Sequence, residues 1–351
     1  MSSVKTTLFV SAFLSSFSGA RAAWDLTKSN IAVYWGQNSI QAGGGGTAAE
    51  AQKNLAFYCQ NTDIDVYPLA FLYEFNGPGG APVIDFANAS NNCTYFPGTE
   101  LYNCPQIAED IKTCQSLGKT ILLSIGGATY SEGGFTSEQA AIDAANMIWQ
   151  TFGPVGSNSS INRPFGDAVV DGFDFDFEST VSNMPTFANQ LRSLMDQDTS
   201  KTYYLTAAPQ CPYPDAADNP MLDGTVSFDA IWVQFYNNYC GLQSFTPGST
   251  TQQNFNFDTW DTWAKNVSKN PNVKVYLGVP GGPTAAGSGY EPVSSLAPII
   301  QYAKGFSSFG GVMIWDASQA YANSGFLSGI RSALNGSASR IMRSVVRRRY
   351  V

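Results

Sequence analysis

Histidine does not occur anywhere in this 351-residue sequence. Its absence excludes a Ser-His-Asp triad, a Cys-His nucleophile pair and a zinc site built on imidazole. Any catalysis therefore falls to carboxylates, tyrosine, lysine, cysteine or a cofactor. Charge is scarce as well: Asp, Glu, Lys and Arg make up 13% of the chain against 44% hydrophobic residues, which suits a large buried core and argues against disorder. After the N-terminal segment, no apolar run approaches the ~20 residues that a membrane span needs. There is no C-x-x-C pair, and no G-x-G-x-x-G follows the first candidate strand. The glycine-rich stretch 41–46 lacks the G-K-S/T ending of a phosphate loop and reads as a flexible turn. No low-complexity linker or long internal repeat divides the chain.

The charges that exist are unevenly placed. All 27 acids lie between Asp25 and Asp316, while Lys5 and Arg21 precede them and Arg331, Arg340, Arg343, Arg347, Arg348 and Arg349 fall in the last 21 residues. Eleven bases remain against 27 acids, a net charge of −16 for the body of the chain. Such a body repels nucleic acid and anionic membranes and is compatible with a neutral substrate such as an uncharged sugar polymer. The basic segment 333–351 reads as a short helix end followed by a solvated, disordered tail without the hydrophobic stretch of a GPI signal.

The first residues have the build of an export signal. Lys5 supplies the positive start, Leu8 to Leu14 is mostly apolar, and Ala20-Arg21-Ala22 forms an A-x-A cleavage site, so residues 1–22 are expected to be removed. Six cysteines, an even number, and five N-x-S/T sequons at Asn88, Asn92, Asn158, Asn266 and Asn335 agree with an oxidising, extracellular destination. The spacing of the cysteines leaves all 15 pairings open.

Eight β-rich runs alternate with helix-compatible stretches. The runs are Ile31–Trp35, Val66–Leu72, Thr120–Ile125, Ala168–Phe177, Thr202–Ala207, Ala230–Tyr236, Val273–Val279 and Gly311–Trp315. Between them, Thr47–Cys59, Gln106–Leu117, Glu138–Phe152, Met184–Asp196, Phe257–Asn270 and Ser294–Lys304 are each long enough for a helix. This alternation predicts an α/β fold, a (β/α)₈ barrel forming one catalytic domain over 23–332, in preference to an open doubly wound sheet.

The run Asp171-Gly-Phe-Asp174-Phe-Asp176-Phe-Glu178 carries the strongest chemical signal. Asp is depleted in strands, yet Asp174 and Asp176 interrupt a strong β pattern. A strand repeats every two residues, so Asp174, Asp176 and Glu178 share one face and the three Phe share the other. In a barrel the Phe face meets the helices, and the acids climb the axis toward the C-terminal rim where barrel enzymes place their sites. Neighbouring acids on that face stand roughly 6.5–7 Å apart along the strand, and crowding raises at least one pKa, as a general acid requires. Glu178 is outermost and best placed to reach a substrate bond. Asp176 is expected to hydrogen-bond Glu178 or a substrate amide, and Asp174 to hold Asp176 and share its proton. The interleaved Phe residues rule out an EF-hand-like calcium loop.

This run resembles the D-G-x-D-x-D-x-E signature of family 18 glycoside hydrolases. Ser124-Ile-Gly126-Gly127 is similar to the family's S-x-G-G element, and Val33-Tyr34-Trp35-Gly36-Gln37-Asn38, Trp232-Val-Gln234-Phe-Tyr236-Asn237-Asn238 and Met313-Ile-Trp315 resemble its class III chitinase branch. The resemblance implies a retaining hydrolase of β-1,4-linked N-acetylglucosamine, in which the substrate's own acetamido oxygen is the nucleophile. Carried over by motif, it implies Glu178 as acid/base, Asp176 as orienter of the acetamido N–H, Asp174 as support for Asp176, and Tyr236 as donor to the acetamido carbonyl. Trp315 would form the floor beneath the −1 sugar, with Tyr34, Gln210, Gln234 and Gly127 as further sugar contacts. Asp171 and Ser124 would be structural supports, since the parity of Asp171 points it away from the other acids. The same likeness implies disulfides Cys59–Cys114, Cys93–Cys104 and Cys211–Cys240. Chitin or chitooligosaccharides are the implied partners; no cofactor, metal, nucleic acid or membrane is expected, and the protein is expected to be a monomer. Two other functions share the barrel: a non-catalytic lectin or inhibitor, and an endo-β-N-acetylglucosaminidase acting on N-glycans. Persistence of Glu178, both aspartates, Tyr236 and Trp315 argues against the first, and the class III segments favour chitin over the second.

Overall fold

Each of the eight β-rich runs forms a strand in the computed structural model, which describes residues 24–336. The export-signal segment 1–22 and the tail beyond 336 lie outside the described residues. The strands are β1 (Asn30–Val33), β2 (Val66–Glu74), β3 (Thr120–Gly126), β4 (Gly172–Asp176), β5 (Tyr204–Ala207), β6 (Ala230–Gln234), β7 (Lys274–Pro280) and β8 (Phe309–Trp315). They pair in parallel in chain order, and β1 closes the ring by pairing with both β8, Ile31 opposite Val312, and β2, Ala32 opposite Val66. The chain is a (β/α)₈ barrel in a single domain, as the alternation predicted.

The helices Pro105–Ser116, Glu138–Phe152, Met184–Gln197, Phe257–Asn266 and Val293–Ala303 match the expected stretches closely. The first expected helix does not: of Thr47–Cys59 only Leu55–Cys59 is helical. Gln52 explains the loss. Its buried side-chain oxygen accepts from Gly36 N and Asn38 N, which draws this stretch onto the loop after β1 instead of letting it coil. The glycine-rich turn likewise begins with a short helix, Ser39–Ala42. At the other end the helix Phe326–Asn335 runs three residues into the basic segment, as the short helix end expected there. Arg331, counted above with the tail's bases, belongs to the body: it donates to Ser29 O and pairs with Asp65 at 2.7 Å.

Two apolar layers result. Outside the sheet, Phe173, Phe175 and Phe177 are buried against the helices, and the Phe175 ring meets Phe187 at 5.8 Å. Burying each such ring contributes about 1.5–3 kcal/mol. Inside the ring, Trp232, Tyr276, Tyr204 and Met313 fill the barrel, and Trp24 seals its floor, 5.4 Å from Trp232 and 5.0 Å from Tyr204. Asp171 lies just before β4. Its carboxylate accepts from Ile121 N and Gln115 Nε2 and pairs with Lys201 at 2.8 Å, tying β3, a helix and the approach to β5 together. The strand is shorter than the expected Ala168–Phe177: Val170 N donates to Phe152 O at a helix end, and ladder bonding begins at Asp171, whose N–H donates to Ile121 O. The three disulfides are Cys59–Cys114, Cys93–Cys104 and Cys211–Cys240, the pairing the resemblance implied.

Candidate active site

The strands' C-terminal ends surround a cavity of about 400 Å³, lined among others by Phe71, Asp176, Glu178, Gln210, Gln234, Tyr236 and Trp315. Glu178 and Tyr236 each stand two residues beyond the end of their strands, β4 and β6, and Trp315 is the last residue of β8. All three thus sit on the rim where barrel loops begin.

Asp174 lies deepest and is completely buried. Its Oδ2 accepts from the Tyr34 hydroxyl at 2.5 Å and Ser124 Oγ at 2.7 Å; its Oδ1 accepts from Thr206 Oγ1 at 2.6 Å and Trp232 Nε1 at 2.7 Å. Burial pushes this carboxyl up, and the four donors pull it back. Donors on other strands occupy every acceptor direction of Asp174, and Asp176 turns instead to the side-chain amide of Gln234, 2.9 Å away.

Asp176 is nearly fully buried, and burial drives its carboxyl well above the usual range, helped by the negative charges of Glu178, Asp174 and Asp215. Glu178 opens to the cavity mouth and is exposed there. Crowding by the walls comes first among the causes that raise its carboxyl, and the charge of Asp215 second; no protein donor reaches it among the described residues. The Tyr236 hydroxyl is held well above its ordinary value by burial and by the Asp176 and Glu178 charges, so it remains an O–H donor facing the cavity.

Two expected sugar contacts are placed elsewhere. Tyr34 does not line the cavity: it is 1% exposed, lies beneath Trp315 with ring centroids 5.4 Å apart, and gives its hydroxyl to Asp174. Gly127 is also buried below the lining. Its backbone, at φ +83°, passes so close to Phe71 that a Cβ would meet the ring at 2.8 Å, and its N–H donates to Asp176 O. Gly126 before it leaves 2.5 Å between a would-be Cβ and the same carbonyl. The two glycines let β3 press against β4 under the acids. Gln210 and Gln234 do line the cavity; Asn238 Nδ2 donates to Gln210 Oε1 at 2.9 Å and holds it there.

Sequence reasoning missed Phe71, which stacks on Trp315 at 5.9 Å, and the pair Asp215 and Asp218. The turn Pro212-Tyr-Pro214-Asp215 announces a loop, but nothing in it announces that both acids are buried. Among the described residues, no group of His, Cys, Asp and Glu is arranged to hold a metal ion, and no helix is long and apolar enough to cross a membrane.

Residues 30–286 match the family model for glycosyl hydrolases family 18, and the chain belongs to that family. It is thus a glycoside hydrolase by class. It is 53% identical to the class III chitinase of Arthroderma benhamiae over 98% of this chain and 97% of that one. Endochitinase 33 of Trichoderma harzianum is 50% identical over 90% of this chain and 95% of its own. Among solved structures, a xylanase-A-amylase inhibitor protein superposes with a TM-score of 0.68 at 32% identity, covering 87% of this chain and 99% of that one.

Proposed function

We propose that this enzyme hydrolyses β-1,4 bonds between N-acetylglucosamine units of chitin and chitooligosaccharides with retention of configuration, using Glu178 as acid and then base. The observation that carries this reading is the ladder itself. Asp174, Asp176 and Glu178 occupy one strand face, and the outermost acid opens to the cavity with its carboxyl raised. Asp176 is buried beside it and turned to Gln234, so it is poorly placed to attack the far face of a sugar ring as a nucleophile. The acetamido oxygen of the substrate fills that role. Glu178 gives its proton to the leaving glycosidic oxygen while the C1–O bond breaks and the acetamido oxygen bonds to C1. Asp176 accepts the acetamido N–H, and Tyr236 donates to the acetamido carbonyl. The Glu178 carboxylate then takes a proton from the water that attacks C1, which restores the acid and frees the acetamido group.

The barrel alone does not select this activity, because a protein named as an inhibitor shares it. The intact ladder with Tyr236 and Trp315 at the cavity is what favours hydrolysis. Export is part of the same reading. Three disulfides support it, and so does the exposure of four sequon asparagines, Asn92, Asn158, Asn266 and Asn335. The fifth, Asn88, is half-buried and exchanges hydrogen bonds with Gln52 through both ends of its amide, so glycans belong on the other four. We take the exported chain to act as a monomer.

The test is Glu178→Gln. Hydrolysis of a chitooligosaccharide should fall by about 10²–10⁴-fold while binding persists. Undiminished turnover would remove Glu178 from the mechanism. Initial products read by NMR should be β-anomers; a predominance of the α-anomer would reject retention.

A further inference from the structure

The loop 208–218 carries a carboxylate that the mechanism above does not use. Asp215 is only 5% exposed, and three backbone N–H groups converge on it: Gln210 N on Oδ2 at 3.0 Å, and Ala217 N and Asp218 N on Oδ1 at 2.8 and 2.6 Å. Its neighbour Asp218 is buried completely, and neither of its oxygens has a hydrogen-bond partner among the described residues. Donors aimed at a carboxylate favour its charged form, and a dry carboxyl without donors keeps its proton. Burial raises both carboxyls, but the three backbone donors pull Asp215 back while Asp218, without donors, is held well above the usual range, so within this pair Asp215 ionises first.

The Asp215 charge is held by hydrogen bonds and not by a cation. None of the ion pairs among the described residues involves Asp215, Asp218, Asp174, Asp176 or Glu178. Among the described residues no ion pair offsets its field, which acts across the low-dielectric wall of the cavity. That wall is shared with the acid. Gln210, whose N–H is bound to Asp215, lines the cavity together with Glu178. The next residue, Cys211, is bonded to Cys240, which pins the loop to the segment that carries Asn238.

We infer that Asp215 is a positioning residue for the reaction: its fixed, uncompensated charge keeps Glu178 protonated and sets the alkaline limit of activity. The groups around Glu178 are Asp215, Asp176 and the Tyr236 hydroxyl, with Asp174 and Asp218 behind them. Tyr236 and Asp218 are pushed toward their neutral forms, Asp174 is surrounded by four side-chain donors, and burial drives the Asp176 carboxyl well above its usual range. Asp215, held by backbone donors behind the wall that Gln210 shares with Glu178, is the anion whose charge falls on the acid. The inference rests on Glu178 being the acid.

The experiment is the pH dependence of kcat on a soluble chitooligosaccharide for the wild type, Asp215→Asn and Asp215→Ser. Serine is neutral and can still accept from the backbone N–H groups of the turn. The alkaline limb should move toward acid by about half a unit or more in both variants. An unmoved limb with activity lowered evenly at every pH would reduce Asp215 to a loop anchor and overturn the inference. If neither variant folds, the carboxyl ¹³C titration of Glu178 in the wild type decides. Ionisation of Asp215 must appear as its own inflection in the Glu178 curve, and a single-step curve rejects the coupling. Glu178→Gln separates the two levels. Activity in that variant would discard the acid assignment, whereas an inactive Glu178→Gln beside an unmoved limb in the Asp215 variants discards the role of Asp215 alone.

Discussion

The side-chain amide of Gln234 donates from one nitrogen to Asp176 Oδ1 and to Ala208 O, each at 2.9 Å. The carbonyl of Ala208 can only accept, so it fixes the amide with its N–H₂ edge toward the acid. Gln234 thereby sets both the rotamer and the polarity around Asp176. Gln234→Ala should lower kcat/KM on a chitooligosaccharide by as much as about 100-fold through misplacement of Asp176. Gln234→Glu should be worse, because two acceptors then face its carboxylate. Steady-state kinetics checks both, and an alanine variant of wild-type efficiency would deny the amide this role.

Asp174→Asn places a donor among four donors at a completely buried position. At least one of the Tyr34, Ser124, Thr206 and Trp232 bonds is lost and its partner is left buried and unsatisfied. The expected cost is about 3 kcal/mol or more of folding stability, in addition to loss of activity. The denaturant midpoint measures it, and an unchanged midpoint would contradict the four-donor account.

Trp315 is half-exposed on the cavity floor and rests on Phe71 and Tyr34. Trp315→Ala should weaken chitooligosaccharide binding by roughly 10–100-fold, equivalent to about 1.4–2.8 kcal/mol. Phe71→Ala should show part of the same loss, since it removes the support under the indole. Titration calorimetry on the Glu178→Gln background separates binding from turnover.

Stability should fall as pH rises from acid toward neutral. Burial, and then the charges of Asp215, Asp176, Asp174 and Glu178, hold the Asp218 carboxyl well above its usual range. Unfolded, the same group ionises near pH ~3.9. Above that pH the unfolded chain binds fewer protons than the folded one, so stability is fullest below it and is lost on the way up to the folded value. Asp176 contributes with the same sign. The urea midpoint of the wild type should be higher at pH 4.5 than at pH 7.5, and Asp218→Asn should narrow the gap. A midpoint that rises with pH would contradict the protonated state of Asp218.

The barrel and the ladder were readable in the sequence because both are periodic. Eight apolar runs reported eight strands, and the two-residue repeat of Asp174, Asp176 and Glu178 reported one face. Motif likeness also placed Tyr236, Gln210, Gln234 and Trp315 at the cavity. It failed for Tyr34 and Gly127, where it identifies a residue near the site without saying whether side chain or backbone faces the sugar. Tyr34 points down to Asp174, and Gly127 matters for the Cβ it lacks. Asp215 and Asp218 were illegible for another reason. Their burial depends on how one loop folds back over the barrel rim, a tertiary event that has no period and no spacing.

The donors to Asp174 arrive from four separate places around the ring: Tyr34 just past β1, Ser124 on β3, Thr206 on β5 and Trp232 on β6. The catalytic centre therefore cannot exist in a half-formed barrel. During refolding, enzymatic activity should return in step with ring closure and lag behind the recovery of secondary structure, which makes turnover itself a clock for the last stage of assembly.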